Sequence, residues 1–277
     1  MKNSTFVALM KNSWQFFGLV LIIMIAGSCK STYEVVRTSN DPELIMKTAN
    51  EYYEKEDYFK AQSLYELVIP FYRGKKEAED LFYKYAYTYY NSGQYILAAH
   101  YFRNFSKTFY NSPKREEVSY LSAYSNYLMS PNYKLDQGPT ETAIEELQSF
   151  INSFPNSPRV DECNSLIDEM RMKLETKAFE SAKLYYDLGN FQSAVVSFDN
   201  LIKDFPETER KEEIRFLSIK SGHELARNSI YEKKEERLES EIEKCNKYID
   251  RYPESDRIEE VQDILAYCKN EIKRFEQ

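Results

Sequence analysis

The chain has 277 residues, of which 30% are charged and 42% hydrophobic, with 7 glycines, 9 prolines and a formal charge of −8. Few helix breakers among many Glu, Lys, Ala, Leu and Tyr exclude a turn-rich all-β protein and point to helices. The acidic balance excludes a nucleic-acid partner, which needs a basic face.

The N-terminus reads as an export signal at residues 1–28. Lys2 and Lys11 precede an apolar run at residues 16–25, broken only by Gly18, and then come Ala26, Gly27, Ser28 and Cys29. A charged start, a short apolar run and small residues form a cleavable signal, and the run is short for a membrane span. This segment resembles bacterial lipoprotein signals, with Ala26 where leucine is commonest; Met10 is a second candidate start. The resemblance implies cleavage before Cys29 and a covalent lipid on that residue, with no other cofactor. A plain cleaved signal and an uncleaved anchor are the alternatives. Cleavage removes two lysines, no acid and the only tryptophan, Trp14, and moves the formal charge from −8 to −10. Residues 29–40, rich in Ser and Thr, read as a flexible tether.

Residues 41–275 carry an internal repeat. Phe150, Phe154, Pro155 and Pro158 recur as Leu201, Phe205, Pro206 and Glu209, and as Tyr248, Tyr252, Pro253 and Asp256. A version without the first proline is Phe105, Phe109, Tyr110 and Pro113, and a decayed one is Val68 and Tyr72. An aromatic closes a helix, proline stops it, and Asn, Ser or Asp caps the next. Upstream, Ala61, Ala98, Ala143 and Ala194 keep step with this block, each followed at four and seven residues by large apolar side chains on one helix face. Ala49, Ala86 and Ala182 stand twelve residues earlier still, and Ala123 stands twenty before Ala143 because of an insertion holding Pro131, Asp136, Gln137, Gly138 and Pro139. Each repeat is therefore a helix, a tight turn and a second helix, with small residues where the two cross. The pattern resembles the tetratricopeptide repeat. It predicts an all-α superhelix of about five helix-turn-helix units, near residues 41–73, 78–112, 114–157, 174–207 and 211–253, then a capping helix at 254–275. The fifth unit is irregular, with Glu241 and Cys245 at the alanine and aromatic positions.

Helical spacing also predicts an inner stripe. Positions six and three before the first-helix alanine, and one and four after it, fall on one narrow face. In tetratricopeptide proteins that face lines a groove. Its aromatic members here are Tyr53, Tyr83, Tyr87, Tyr90, Tyr120, Tyr124, Tyr127, Phe179 and Tyr186, the candidate surface for a client peptide. Rigid rings suit an extended apolar chain. The alternative is that these rings pack against neighbouring helices or one another.

No catalytic or metal-binding constellation stands out. His100 and His223 lack partners at recognisable spacing, the carboxylates alternate with Lys and Arg as on solvated helix faces, and no glycine-rich phosphate loop occurs. The expectation is a non-enzymatic protein. Cys163, Cys245 and Cys268 read as buried free thiols, with a Cys245–Cys268 bridge as the alternative.

A lipoprotein signal, five such units and the insertion from Leu128 to Ile144 together resemble the BamD family (YfiO, ComL) of outer-membrane assembly lipoproteins. The resemblance covers about residues 29–275. It implies lipid anchoring on the periplasmic side of the outer membrane. It further implies binding of a BamA-like partner through its POTRA region by the C-terminal units, and of unfolded outer-membrane β-barrel precursors by the N-terminal groove. A glycan-binding lipoprotein built from the same repeats is the second reading; such proteins carry larger insertions.

Overall fold

The computed structural model describes residues 32–275, and Cys29 and the expected signal lie outside them. Among the described residues there are twelve α-helices and no strand. The chain divides into two compact bodies, meeting in sequence at Leu128 and Met129. The first body contains α1 (Thr32–Arg37), α2 (Pro42–Glu54), α3 (Tyr58–Tyr72), α4 (Ala78–Asn91), α5 (Tyr95–Thr108) and α6 (Arg115–Leu128). The second contains α7 (Gly138–Ser153), α8 (Val160–Asp187), α9 (Phe191–Asp204), α10 (Lys211–Arg227), α11 (Tyr231–Arg251) and α12 (Ile258–Ile272). Within each body, consecutive helices pack against one another.

The alanine step is the organising feature. Ala49, Ala61, Ala86, Ala98, Ala123, Ala143, Ala182 and Ala194 are all buried. A small side chain at each crossing lets neighbouring helices approach, and large side chains fill the space beside it. Tyr65, Phe102, Leu147 and Phe198, four residues after the second-helix alanines, are fully buried. Burial of side chains this large contributes about 2 kcal/mol or more each to such pairs.

In three of the pairs the turn uses a left-handed residue five before the second-helix alanine. Gly93 (φ 72°) and Gly189 (φ 74°) provide it, whereas in the first pair the position is Glu56 at φ 60°. A side chain there costs about 1 kcal/mol, and the greater freedom of glycine in the unfolded chain takes back part of any gain. Glu56→Gly is therefore expected to stabilise the protein by roughly 0.5 kcal/mol, read as a rise of about 1–2 °C in thermal melting. An unchanged or lower melting temperature would contradict a strained turn.

The turn between pairs is built the same way four times. Phe109, Phe154, Phe205 and Tyr252 end their helices with a backbone N–H donated to the carbonyl four residues earlier. Three residues on, Ser112, Ser157, Thr208 and Ser255 accept the backbone N–H two residues ahead at 3.0, 3.2, 3.1 and 3.1 Å. Ser112 also donates to Glu79 at 2.7 Å, Thr208 to Glu175 at 2.5 Å and Ser255 to Glu212 at 2.6 Å. Ser255, with Tyr248 and Arg257, holds the Glu212 carboxyl below its usual range, against a smaller upward push from burial. Ser112 and Ser255 thus fasten the end of a second helix to the start of its own first helix, and Thr208 fastens it to the middle of α8.

Four expectations change. The tether expected at residues 29–40 is helical at Thr32–Arg37, where Val36 is buried, and Asp41 caps α2 through the Glu43 and Leu44 amides at 3.0 and 3.1 Å. The third repeat is divided, since α6 falls in the first body and α7 in the second; the insertion is where the bodies part. Of residues 158–173, left outside the repeat units, those from Val160 on form the first half of the 28-residue α8, where Cys163, Ile167 and Met170 are buried at helical spacing. The alternative of a Cys245–Cys268 bridge does not hold, because Cys163, Cys245 and Cys268 are buried free thiols. Burial raises all three, Cys163 to about 11 and Cys268 to about 12.

Candidate functional site

The sequence stripe of the first body lies on α2, α4 and α6. Tyr53, Tyr83, Tyr87, Tyr90, Tyr124 and Tyr127 are half-buried there. Tyr120 is buried, so it supports the surface instead of forming it. It stacks on Tyr124 with ring centres 5.5 Å apart, and Tyr124 stacks on Tyr127 at 5.5 Å. Tyr90 meets Tyr87 edge-on at 6.2 Å and Phe102 at 6.0 Å. Each of the half-buried rings is thus partly packed and partly exposed: it rests on a neighbour with one portion and faces solvent with another.

The rings are held by two acids of the stripe itself, Asp80 and Glu117, six residues before Ala86 and Ala123, and by two lysines outside it, Lys84 and Lys114. Glu117, at the start of α6, accepts from the Tyr83 hydroxyl at 3.1 Å on each oxygen and from the Tyr87 hydroxyl at 2.6 Å. Hydrogen bonds to a carboxylate are stronger than neutral ones. Burial, then the Glu117 bond, raises the Tyr87 hydroxyl well above its ordinary value. Lys114 lies 4.0 Å from the Tyr83 ring centre, a cation–π distance, and 3.2 Å from Asp80. Lys84 pairs with the other Asp80 oxygen at 3.2 Å and donates to the Asn50 side-chain oxygen Oδ1 at 3.0 Å, which also accepts from the Tyr65 hydroxyl at 2.8 Å. Burial pushes Asp80 upward, but Lys114 and Lys84 outweigh it and hold the acid below its usual range. Burial drives Tyr53 up to about 12, with Tyr83 adding to it. Lys84 and Lys114 pair with Asp80, and Glu117 with the Tyr83 and Tyr87 hydroxyls, so the surface offers rings rather than free charge. Spacing alone misses Lys84 and Lys114, because each is placed by an acid or ring on another helix or turn.

The opposite side of α4 is core. Tyr85 and Tyr89 are buried with their hydroxyls 2.8 Å apart, and Tyr89 stacks on Tyr101 at 4.8 Å. Tyrosines on two faces of one helix thus do different work.

In the second body, Phe179 is buried beneath the Arg210 guanidinium, 3.3 Å from its ring centre, and against Phe198 at 6.2 Å. It leaves the candidate surface. Tyr186 is half-buried and lines a cleft of about 550 Å³ with Lys220, His223, Glu260 and Tyr267. Lys220 pairs with Glu260 at 2.9 Å, and the His223 ring meets Tyr267 edge-on at 4.8 Å. Burial lowers the His223 imidazole, so it stays neutral at neutral pH. Among the described residues no cluster of His, Cys, Asp and Glu could hold a metal ion, and no helix is long and apolar enough to cross a membrane.

Residues 38–238 match the model of a family described as YfiO, outer membrane lipoprotein. The chain belongs to that family. A protein of Aquifex aeolicus (strain VF5), named provisionally as an outer membrane protein assembly factor BamD, is 23% identical over 260 residues, covering 93% of this chain and 84% of that protein. Among solved structures, the tetratricopeptide-repeat domain of P58(IPK) aligns with a TM-score of 0.39 and 15% identity; the match takes in 83% of this chain and 56% of that one. The matched stretch of the YfiO model runs from the end of α1 into α11, and so includes every half-buried tyrosine of the stripe.

Proposed function

We propose that this YfiO-family protein is a non-enzymatic adaptor of outer-membrane β-barrel assembly, held to the periplasmic side of the membrane by a lipid on Cys29. Its client is the unfolded barrel precursor, received on the tyrosine surface of the first body. Its standing partner is a BamA-like protein, engaged by its POTRA region through the second body. The observation that supports client capture is the bonding of Tyr83 and Tyr87 to Glu117. It orders the rings before a ligand arrives, which lowers the entropy lost on binding. A β-barrel strand, alternating apolar and polar side chains, can lay its apolar rows on such a surface.

The test is binding of a labelled peptide with the aromatic-rich end of a barrel strand, followed by anisotropy. Tyr124→Ala is expected to weaken the peptide about tenfold. Because Tyr124 is half-exposed, melting should fall by only a few degrees. Equal peptide affinity in the variant would remove the surface from the proposal. Cys29→Ser should move the protein from the membrane to the soluble fraction; continued membrane attachment would contradict the lipid anchor.

A further inference from the structure

One edge of the first body exposes large apolar side chains close in sequence to the expected lipid. Val35 on α1 is 52% exposed, Phe59 at the start of α3 is 66% exposed, and Ile96 at the start of α5 is 73% exposed. Phe59 and Ile96 are equivalent, each two residues before a buried alanine, Ala61 and Ala98. Side-chain contacts tie these starts together. The Tyr33 ring of α1 meets Tyr52 of α2 at 5.8 Å, and Lys60, next to Phe59, lies 5.1 Å from the same Tyr52 ring. The Gln94 amide, before α5, donates to Gln62 of α3 at 3.3 Å. The beginning of α1 and the beginnings of α3 and α5 therefore belong to one edge.

Scattered apolar residues on a surface mean little by themselves. These gain meaning from the chain length before them. Only Lys30 and Ser31 stand between Cys29 and Thr32, the first residue of α1. Three peptide units reach at most about 11 Å. A lipid on Cys29 holds Thr32, at the α1 end of this edge, within about a nanometre of the bilayer, a distance comparable with the depth of about 5–10 Å to which apolar faces enter the head-group layer.

We propose that the edge carrying Val35, Phe59 and Ile96 enters the lipid head-group layer of the membrane that holds the anchor, and so sets the angle at which the first body stands on that membrane. The inference rests on the reading of Cys29 as the acylated residue. The contact is apolar, since the chain is acidic overall. It survives high salt, unlike binding of a basic surface to anionic lipid.

Quenching by brominated lipid tests it. The full chain is produced with its signal in a bacterium that processes lipoproteins, purified from the membrane and reconstituted in phosphatidylethanolamine–phosphatidylglycerol vesicles carrying bromine near the head group. Cleavage removes Trp14, so Phe59→Trp or Ile96→Trp supplies the one tryptophan. Both should lose about half of their emission or more, at low and high salt alike. Phe71→Trp is the control. It is also exposed, at 56%, but lies twelve residues further along α3, about 18 Å away, and should keep its emission. Unquenched tryptophan at 59 and 96, or equal quenching at 71, overturns the proposal; a co-purified protein that shields 59 and 96 from bromine does so too, marking a protein-docking edge. The intact mass of the same sample reports on the anchor separately. An acylated but unquenched protein sinks the edge alone, and an unacylated mature chain sinks the anchor.

Discussion

Glu241→Gln is expected to raise the melting temperature by about 10 °C at pH 9 and to leave it nearly unchanged at pH 4. Glu241 stands on α11 where other repeats carry the second-helix alanine, and only 2% of it is exposed. Opposite it is Gly222 of α10; a methyl group there would sit 1.8 Å from Glu241 Oε2. The carboxyl thus fills the space that the missing side chain leaves. Its Oε1 has no hydrogen-bond partner. Burial raises this acid from 4.5 to about 8, with Asp199 adding to the rise and Lys244 opposing it; the thiols of Cys245 and Cys268 share its surroundings. The folded protein therefore holds a proton that the unfolded chain releases above pH 4.5. Stability contributed by the acid is undiminished below that pH, falls as pH rises toward 8, and levels off above it. The shift corresponds to roughly 5 kcal/mol at the alkaline limit. Glutamine has the same size and never ionises, so the variant should escape the loss. Melting curves of the two proteins that stay parallel from pH 4 to pH 9 would contradict this account. A geometric control follows from the same pair. Gly222→Ala alone should destabilise by about 2–3 kcal/mol through overpacking. Adding Glu241→Ala should recover most of that loss, because the pair then matches the small crossings of the other repeats.

Glu117→Ala should weaken capture of a barrel-strand peptide at least tenfold, while lowering stability by only about 1–2 kcal/mol. The carboxylate makes no packing core of its own; it is half-buried and accepts from Tyr83 and Tyr87. Without it the two hydroxyls turn to water, and their rings regain rotamer freedom that a client must then remove. Glu117→Gln should fall between, because an amide oxygen still accepts from one of the hydroxyls. The check is anisotropy titration beside thermal melting for both variants. Parallel losses in the two measurements would mean that the residue is structural only.

Most of the fold was legible because it repeats. An alanine at a crossing is weak evidence once and strong evidence eight times, and Ala49 through Ala194 are all buried as that spacing requires. What spacing could not show is anything that depends on a partner from elsewhere in the chain. Tyr120 and Phe179 share the helical angle of the exposed rings, yet Tyr120 is buried in the α6 packing and Phe179 lies beneath Arg210, which comes from the turn before α10. The Ser–Glu fasteners of the outer turns escaped for the same reason, since Ser112 and Glu79 are 33 residues apart. The early helix α1 was hidden by composition. Residues 30–40 look polar enough for a tether, but Val36 buries itself and Thr38 and Ser39 turn their hydroxyls back onto the carbonyls of Glu34 and Val36. The break after Leu128 was visible only as an insertion, which spacing reads as a long turn. In the structure the insertion is pinned within the second body, with Lys173 donating to Ser130 and the Gln137 amide donating to the carbonyls of Asn132 and Leu135.

The shared helix α8 has a consequence for how the second body comes apart. Its first half packs on α7 and its second half on α9, with no break between Val160 and Asp187. In a stack of separate hairpins, a terminal pair can fray while its neighbour stays formed, because only the interface between them is lost. Here the neighbours own one rod in common, and α7 cannot detach without baring Cys163, Ile167 and Met170 on the same helix that carries Phe179 and Ala182. Backbone amides of α7, α8 and α9 should therefore exchange with deuterium as a single block with one opening energy, where a simple array would show a gradient running inward from its end.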